Sequence, residues 1–134
     1  MNNKYLFVYG TLMHNSEHPM HQVLQAHSEF VCHGRIRAQL YQIHDYPGAV
    51  LSNMADDEVH GEVYRLATPS VLAQLDDFEE CSAAFPEPRE YRRQTVEVTV
   101  SGGKSISAWA YIYNHPVDPN KRIVNGRFQL KSWQ

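Results

Sequence analysis

Residues 91–114 read YRRQTVEVTVSGGKSISAWAYIYN. Val96, Val98 and Val100 alternate with Thr95, Glu97 and Thr99, the period-two signature of a strand with one apolar face. Ser101-Gly102-Gly103-Lys104 then turns the chain, and Ser105 to Asn114 returns as the hairpin partner. On that second strand Trp109, Tyr111 and Tyr113 alternate with small residues and define one sheet face. Working toward the N-terminus, the two prolines of CSAAFPEPRE (residues 81–90) forbid regular pairing, so this segment reads as a loop. Thr68-Pro69 opens a helix over Ser70 to Glu80, with Thr as N-cap and Pro at the first position. Val71, Leu72, Leu75 and Phe78 supply its apolar stripe. EVHGEVYRL (Glu58 to Leu66) reads as a strand with Gly61 at a bulge or a close approach. Tyr46 to Ala49, YPGA, reads as a turn. Phe30 to Ile43 is extended, Ser16 to His27 carries apolar residues at helical spacing, and Lys4 to Tyr9 is a short buried strand. About six strands and two helices result, and helices do not regularly separate the strands. That excludes a doubly wound parallel sheet. A strongly curved, mainly antiparallel sheet or small barrel with two packed helices is expected.

The chain has 134 residues, which suits one domain spanning residues 1–134. A net charge of −3 and the lack of a basic cluster argue against nucleic acid or an anionic membrane as the main partner. The apolar run at the start is too short for a signal peptide, and no stretch approaches membrane-spanning length. Cys32 and Cys81 lie far apart and form no CxxC, so they read as free thiols of a reducing compartment, with the cytoplasm as the expected location. His14, His18 and His21 invite a metal reading, but no HExxH occurs and no third ligand follows at a known spacing, so no metal site is expected. Cys81 and Ser82 lie in no nucleophile-elbow pattern. SGGKS lacks the phosphate-loop spacing and joins two strands.

Two places carry chemistry. At about 100° per residue, Glu79 falls inside the apolar arc of the second helix, while Glu80 points to the opposite side. A carboxylate in apolar surroundings loses hydration, which raises its pKa and suits it to proton transfer near neutrality. Two alternatives stand beside this: the helix ends before Glu79, or the carboxylate pairs with Arg35, Arg37 or Arg92. The second place is VYGTL, where Gly10, Thr11 and Leu12 end the first strand. A glycine there allows close backbone approach, and three consecutive N–H groups can cradle a carboxylate or a developing oxyanion. A tight turn with Leu12 capping the core is the alternative.

VYGTL near the N-terminus, YPGAV at Tyr46 to Val50, GEVY at Gly61 to Tyr64, LDDFEE at Leu75 to Glu80, then YRRQTVEV and AWAYIYN, occur in the order found in the γ-glutamylcyclotransferase-like family, which includes AIG2-like proteins. The chain resembles that family over nearly its whole length. The resemblance implies an α+β fold: a small mixed, mainly antiparallel β-barrel of about six strands with two packed helices. It implies a pocket at one barrel end, lined by Tyr9, Gly10, Thr11 and Leu12. The family's catalytic glutamate lands on Glu79, and a late pocket tyrosine lands on Tyr113, with Tyr111 on the same strand face as the alternative. Glu80 departs from the glycine common at that position and adds a second acid beside the site. The implied activity is release of 5-oxoproline from a γ-glutamyl amine or peptide, with a small-molecule substrate and neither cofactor nor metal. A non-catalytic small-molecule-binding or interaction protein on the same barrel is the other class.

Overall fold

The computed structural model describes residues 4–9, 24–43, 46–54, 56–68, 70–78 and 91–127. Its strands are β1 (Tyr5–Val8), β2 (Ser28–Gln42), β3 (Pro47–Leu51), β4 (Glu58–Leu66), β5 (Tyr91–Val100), β6 (Ser105–Tyr113) and β7 (Arg122–Ile123). A helix, α1 (Ser70–Phe78), lies between β4 and β5. A ring of five strands closes in the order β2-β4-β1-β6-β5 and back to β2. Every pairing in it is antiparallel except β1 with β6, where Leu6 stands opposite Trp109. β3 and β7 lie outside the ring, both paired with the C-terminal half of β2.

The alternation seen in the sequence sorts residues between two apolar layers. Phe7, Ile36, Val59, Val63, Val96, Val98, Ala108, Ala110 and Ile112 come from all five ring strands and fill the barrel. Leu6, Val8, Tyr64, Leu66, Tyr91 and Tyr111 face outward and pack with Leu24 and with Val71, Leu72 and Leu75 of α1. The face bearing Trp109, Tyr111 and Tyr113 is thus the outer face of β6. Leu75 is completely buried, and a leucine so placed contributes about 2 kcal/mol through apolar burial.

The expected β5–β6 hairpin forms, and its register sets Tyr91 opposite Tyr113 and Thr99 opposite Ser105. Gly102 and Gly103 both take positive φ, 86° and 79°, which is why the turn carries paired glycines. β4 runs over the expected residues, and Gly61 marks a close approach: a Cβ there would stand 2.1 Å from the Val8 carbonyl oxygen. The expected helix over 16–27 is described only at residues 24–27, which are helical. There the Ser28 hydroxyl donates to the Leu24 carbonyl where the chain passes into β2.

The described residues hold seven strands, five in the ring and two outside it, in keeping with the expected small barrel of about six. One correction follows. Tyr46 to Ala49 is not a turn, because Pro47 begins β3. Proline is tolerated there as the first residue of an edge strand, where no ladder donor is lost. The pairing of Pro47–Leu51 with Ala38–Gln42 overrides the local turn signal.

Candidate functional site at the barrel end

β1 and β6 are parallel, so their C-terminal ends share one end of the barrel, and Tyr91 of β5 is brought there opposite Tyr113. β2 continues past this end and lays β3 against it. Tyr9, immediately after β1, is buried among the interior residues. Its hydroxyl donates to the Tyr111 carbonyl oxygen at 2.6 Å and accepts from the Ala49 amide at 3.0 Å. The side chain therefore ties β6 to β3 and anchors the chain just before Gly10.

A second tie lies beside it. The buried Tyr91 hydroxyl donates to the Pro47 carbonyl oxygen at 2.6 Å. Tyr91 meets the Tyr113 ring edge-on, with centroids 5.4 Å apart, and Tyr46 lies 6.4 Å from Tyr91. His115 stands edge-on to Tyr113 at 5.7 Å. The half-buried Tyr113 also packs on Gly48, where a Cβ would come within 2.8 Å of the tyrosine Cβ and Cγ. Tyr111 is buried in the outer layer against α1, whereas Tyr113 sits at the barrel end. On β5, Arg92 bonds Gln94 through Nε, and the Arg93 guanidinium stacks over Trp109 at 4.4 Å.

Of the residues singled out from the sequence, Tyr9 and Tyr113 come together at this end. Gly10, Thr11, Leu12 and Glu79 lie outside the described residues, as do His14, His18, His21 and Cys81. Cys32 is a free, half-buried thiol.

Two polar groups escaped the sequence reading. Glu62 is only 2% exposed, stands opposite Val8 of β1, and accepts from the Tyr64 hydroxyl at 2.9 Å. Burial, and then the adjacent Glu62 carboxylate, hold the Tyr64 phenol well above its ordinary pKa. His33 Nε2 lies 3.9 Å from the second Glu62 oxygen. Asp57 accepts from Ser52 at 2.6 Å, Gln39 at 2.9 Å and Arg122 at 2.8 Å, and so joins β7 to β2 and the end of β3. These hydrogen bonds, Ser52's first, lower the Asp57 pKa to about 2. A dense polar cluster around one carboxylate has a sequence signal only in its residue types, because its members come from four separate segments.

The closed five-strand barrel with one parallel seam defines a fold class, and known proteins share the fold. YkqA from Bacillus subtilis superposes with a TM-score of 0.72 at 26% identity, over 95% of this chain and 40% of that one. An AIG2-like protein from Mus musculus, matched over the full length of both chains at 22% identity, has the same fold with a TM-score of 0.65. The gamma-glutamylcyclotransferase family protein YtfP of Escherichia coli K12 is 34% identical over 128 residues, covering 90% of this chain and 92% of that protein. The profile of the family described as gamma-glutamyl cyclotransferase, AIG2-like, matches residues 6–134. The chain belongs to that family. No helix among the described residues is long and apolar enough to cross a membrane.

Proposed function

We propose that the protein is a cyclotransferase that releases 5-oxoproline from a γ-glutamyl amine or γ-glutamyl peptide. The substrate's α-amine attacks its own side-chain carbonyl carbon, a C–N bond forms, and the bond to the leaving amine breaks. Both reactants belong to one molecule, so little entropy remains to be lost on the way to the transition state. What the site must supply is a fold of the glutamyl chain, a base for the α-ammonium proton and an acid for the leaving nitrogen. A single carboxylate between the two nitrogens serves as both. Glu79 is assigned that role.

The observation that carries the assignment is the burial of Val71, Leu72 and Leu75 on one stripe of α1. In the sequence Glu79 follows Leu75 by four, the spacing that shares one stripe of a helix. Two of the three cationic alternatives have other engagements: Arg35 Nε lies 2.8 Å from Glu58, and Arg92 bonds Gln94. The N–H groups of Gly10, Thr11 and Leu12 are assigned to the substrate α-carboxylate or the developing oxyanion, with Tyr9 anchoring the strand end that precedes them. Tyr113, at the barrel end, orients the substrate or the acid.

The test is a panel of γ-glutamyl amides and dipeptides incubated with wild-type protein and Glu79→Gln, reading 5-oxoproline by mass. Wild-type turnover with a loss of at least about 100-fold in the variant, at unchanged thermal stability, is expected. Unimpaired release by the variant removes Glu79 from the role. Binding of 5-oxoproline by a wild-type protein that turns nothing over assigns the non-catalytic class.

A further inference from the structure

We propose that Tyr91 and Gly48 are positioning residues, which set the place of Tyr113 by clasping β3 to the barrel end. This rests on the assignment of Tyr113 above. β3 lies outside the closed ring and, among the described strands, pairs with β2 alone. Its position relative to β5 and β6 must be fixed by something else. The structure supplies two tyrosine hydroxyls that reach its backbone, Tyr9 to the Ala49 amide and Tyr91 to the Pro47 carbonyl. Gly48, between those two anchor points, is where the Tyr113 ring rests.

The Tyr91 ring is therefore held on one side by its bond to β3 and meets Tyr113 edge-on at the other. Tyr113 lies against the Gly48 backbone, Tyr91 and His115. An alanine at position 48 would set a methyl 2.8 Å from the tyrosine Cβ, an atom that no side-chain rotation can move. Either β3 or the end of β6 must retreat. Loss of the Tyr91 hydroxyl frees β3 at Pro47 while keeping the ring edge-on to Tyr113.

The experiment is a double-mutant cycle of Tyr91→Phe and Tyr113→Phe on 5-oxoproline formation, with tyrosine ring-carbon NMR on the same proteins. The Tyr113 signal is assigned by its loss in Tyr113→Phe. The expected results are a kcat about fivefold lower for Tyr91→Phe and less than twofold further loss when it is added to Tyr113→Phe. The Tyr113 ring signal should shift in Tyr91→Phe, and Gly48→Ala should cost about 100-fold in kcat/KM. A purely structural Tyr91 would lower thermal stability but leave the two kinetic effects multiplicative. Multiplicative effects, or an unmoved Tyr113 signal in Tyr91→Phe, overturn the proposal. Should the wild type form no 5-oxoproline, the cyclotransferase reading fails, and the ring signal alone decides the clasp.

Discussion

Replacing Tyr9 by phenylalanine deletes one oxygen and leaves the ring, its packing and the backbone in place. Two hydrogen bonds disappear, one to the Tyr111 carbonyl and one from the Ala49 amide. Ala49 is fully buried, so its N–H has no route to water once the hydroxyl is gone. A lost bond costs about 1 kcal/mol net, and an orphaned buried donor adds about 1–3 kcal/mol of desolvation. The carbonyl, with a second lone pair, suffers less than the amide. The sum is about 3 kcal/mol. For a chain of this size, at about 4 °C per kcal/mol, Tm falls by about 12 °C. Urea unfolding measures the free energy directly. Tyr41→Phe is the internal control: its hydroxyl makes one part-buried bond, to Gln39 Oε1 at 2.7 Å, and its loss should cost about 1 kcal/mol or less. A Tyr9→Phe loss below about 1 kcal/mol, or one equal to that of the control, refutes the argument that this hydroxyl ties two strands across the barrel end.

The Asp57 carboxyl, lowered to about 2 in the folded protein from an ordinary 3.8, stabilises the fold above the unfolded value, and that contribution disappears as the pH falls through about 2. Urea midpoints of wild type and Asp57→Asn should therefore differ at neutral pH and converge on acidification to about 2; a gap that stays constant contradicts this origin. Glu62→Leu removes the acceptor of a buried Tyr64 hydroxyl and should cost about 2 kcal/mol, while adding Tyr64→Phe should recover part of it, since the orphaned hydroxyl is then removed as well. A double variant less stable than Glu62→Leu alone would show that the hydroxyl does not depend on Glu62.

The elements legible in the sequence are those whose pattern is local. Residues 91–114 carry alternation, a paired-glycine turn and a returning strand within one short span, and the hairpin forms as read. Barrel closure is another matter. It depends on the parallel contact of Leu6 with Trp109 and on Gly34 of β2 opposite Val100 of β5, pairings between distant segments with no mark in either. YPGA shows the same limit in reverse. Proline and glycine are strong local turn signals, yet Pro47 occupies the start of an edge strand and Gly48 is small because a ring more than sixty residues later rests on it.

The site divides along the same line. The family resemblance implies a binding role for Tyr9 and Tyr113, and the described structure brings both to one barrel end. What each hydroxyl and ring does there is set by β3, an element the sequence did not reveal. Glu62 carries no sign of its burial in the sequence, for a physical reason. In a strand with one solvated face, a glutamate between Gly61 and Val63 is the expected outward polar residue. Here the outward face of β4 is covered as well: Tyr64 and Leu66, on the same face as Glu62, are buried with α1. Alternation identifies which residues share a face, but only the packing of a second layer decides whether that face is wet. A carboxylate on a covered face must find a hydrogen-bond donor, and Glu62 finds the Tyr64 hydroxyl two residues along its own strand. The motif GEVY thus holds both the buried acid and the donor that makes its burial tolerable.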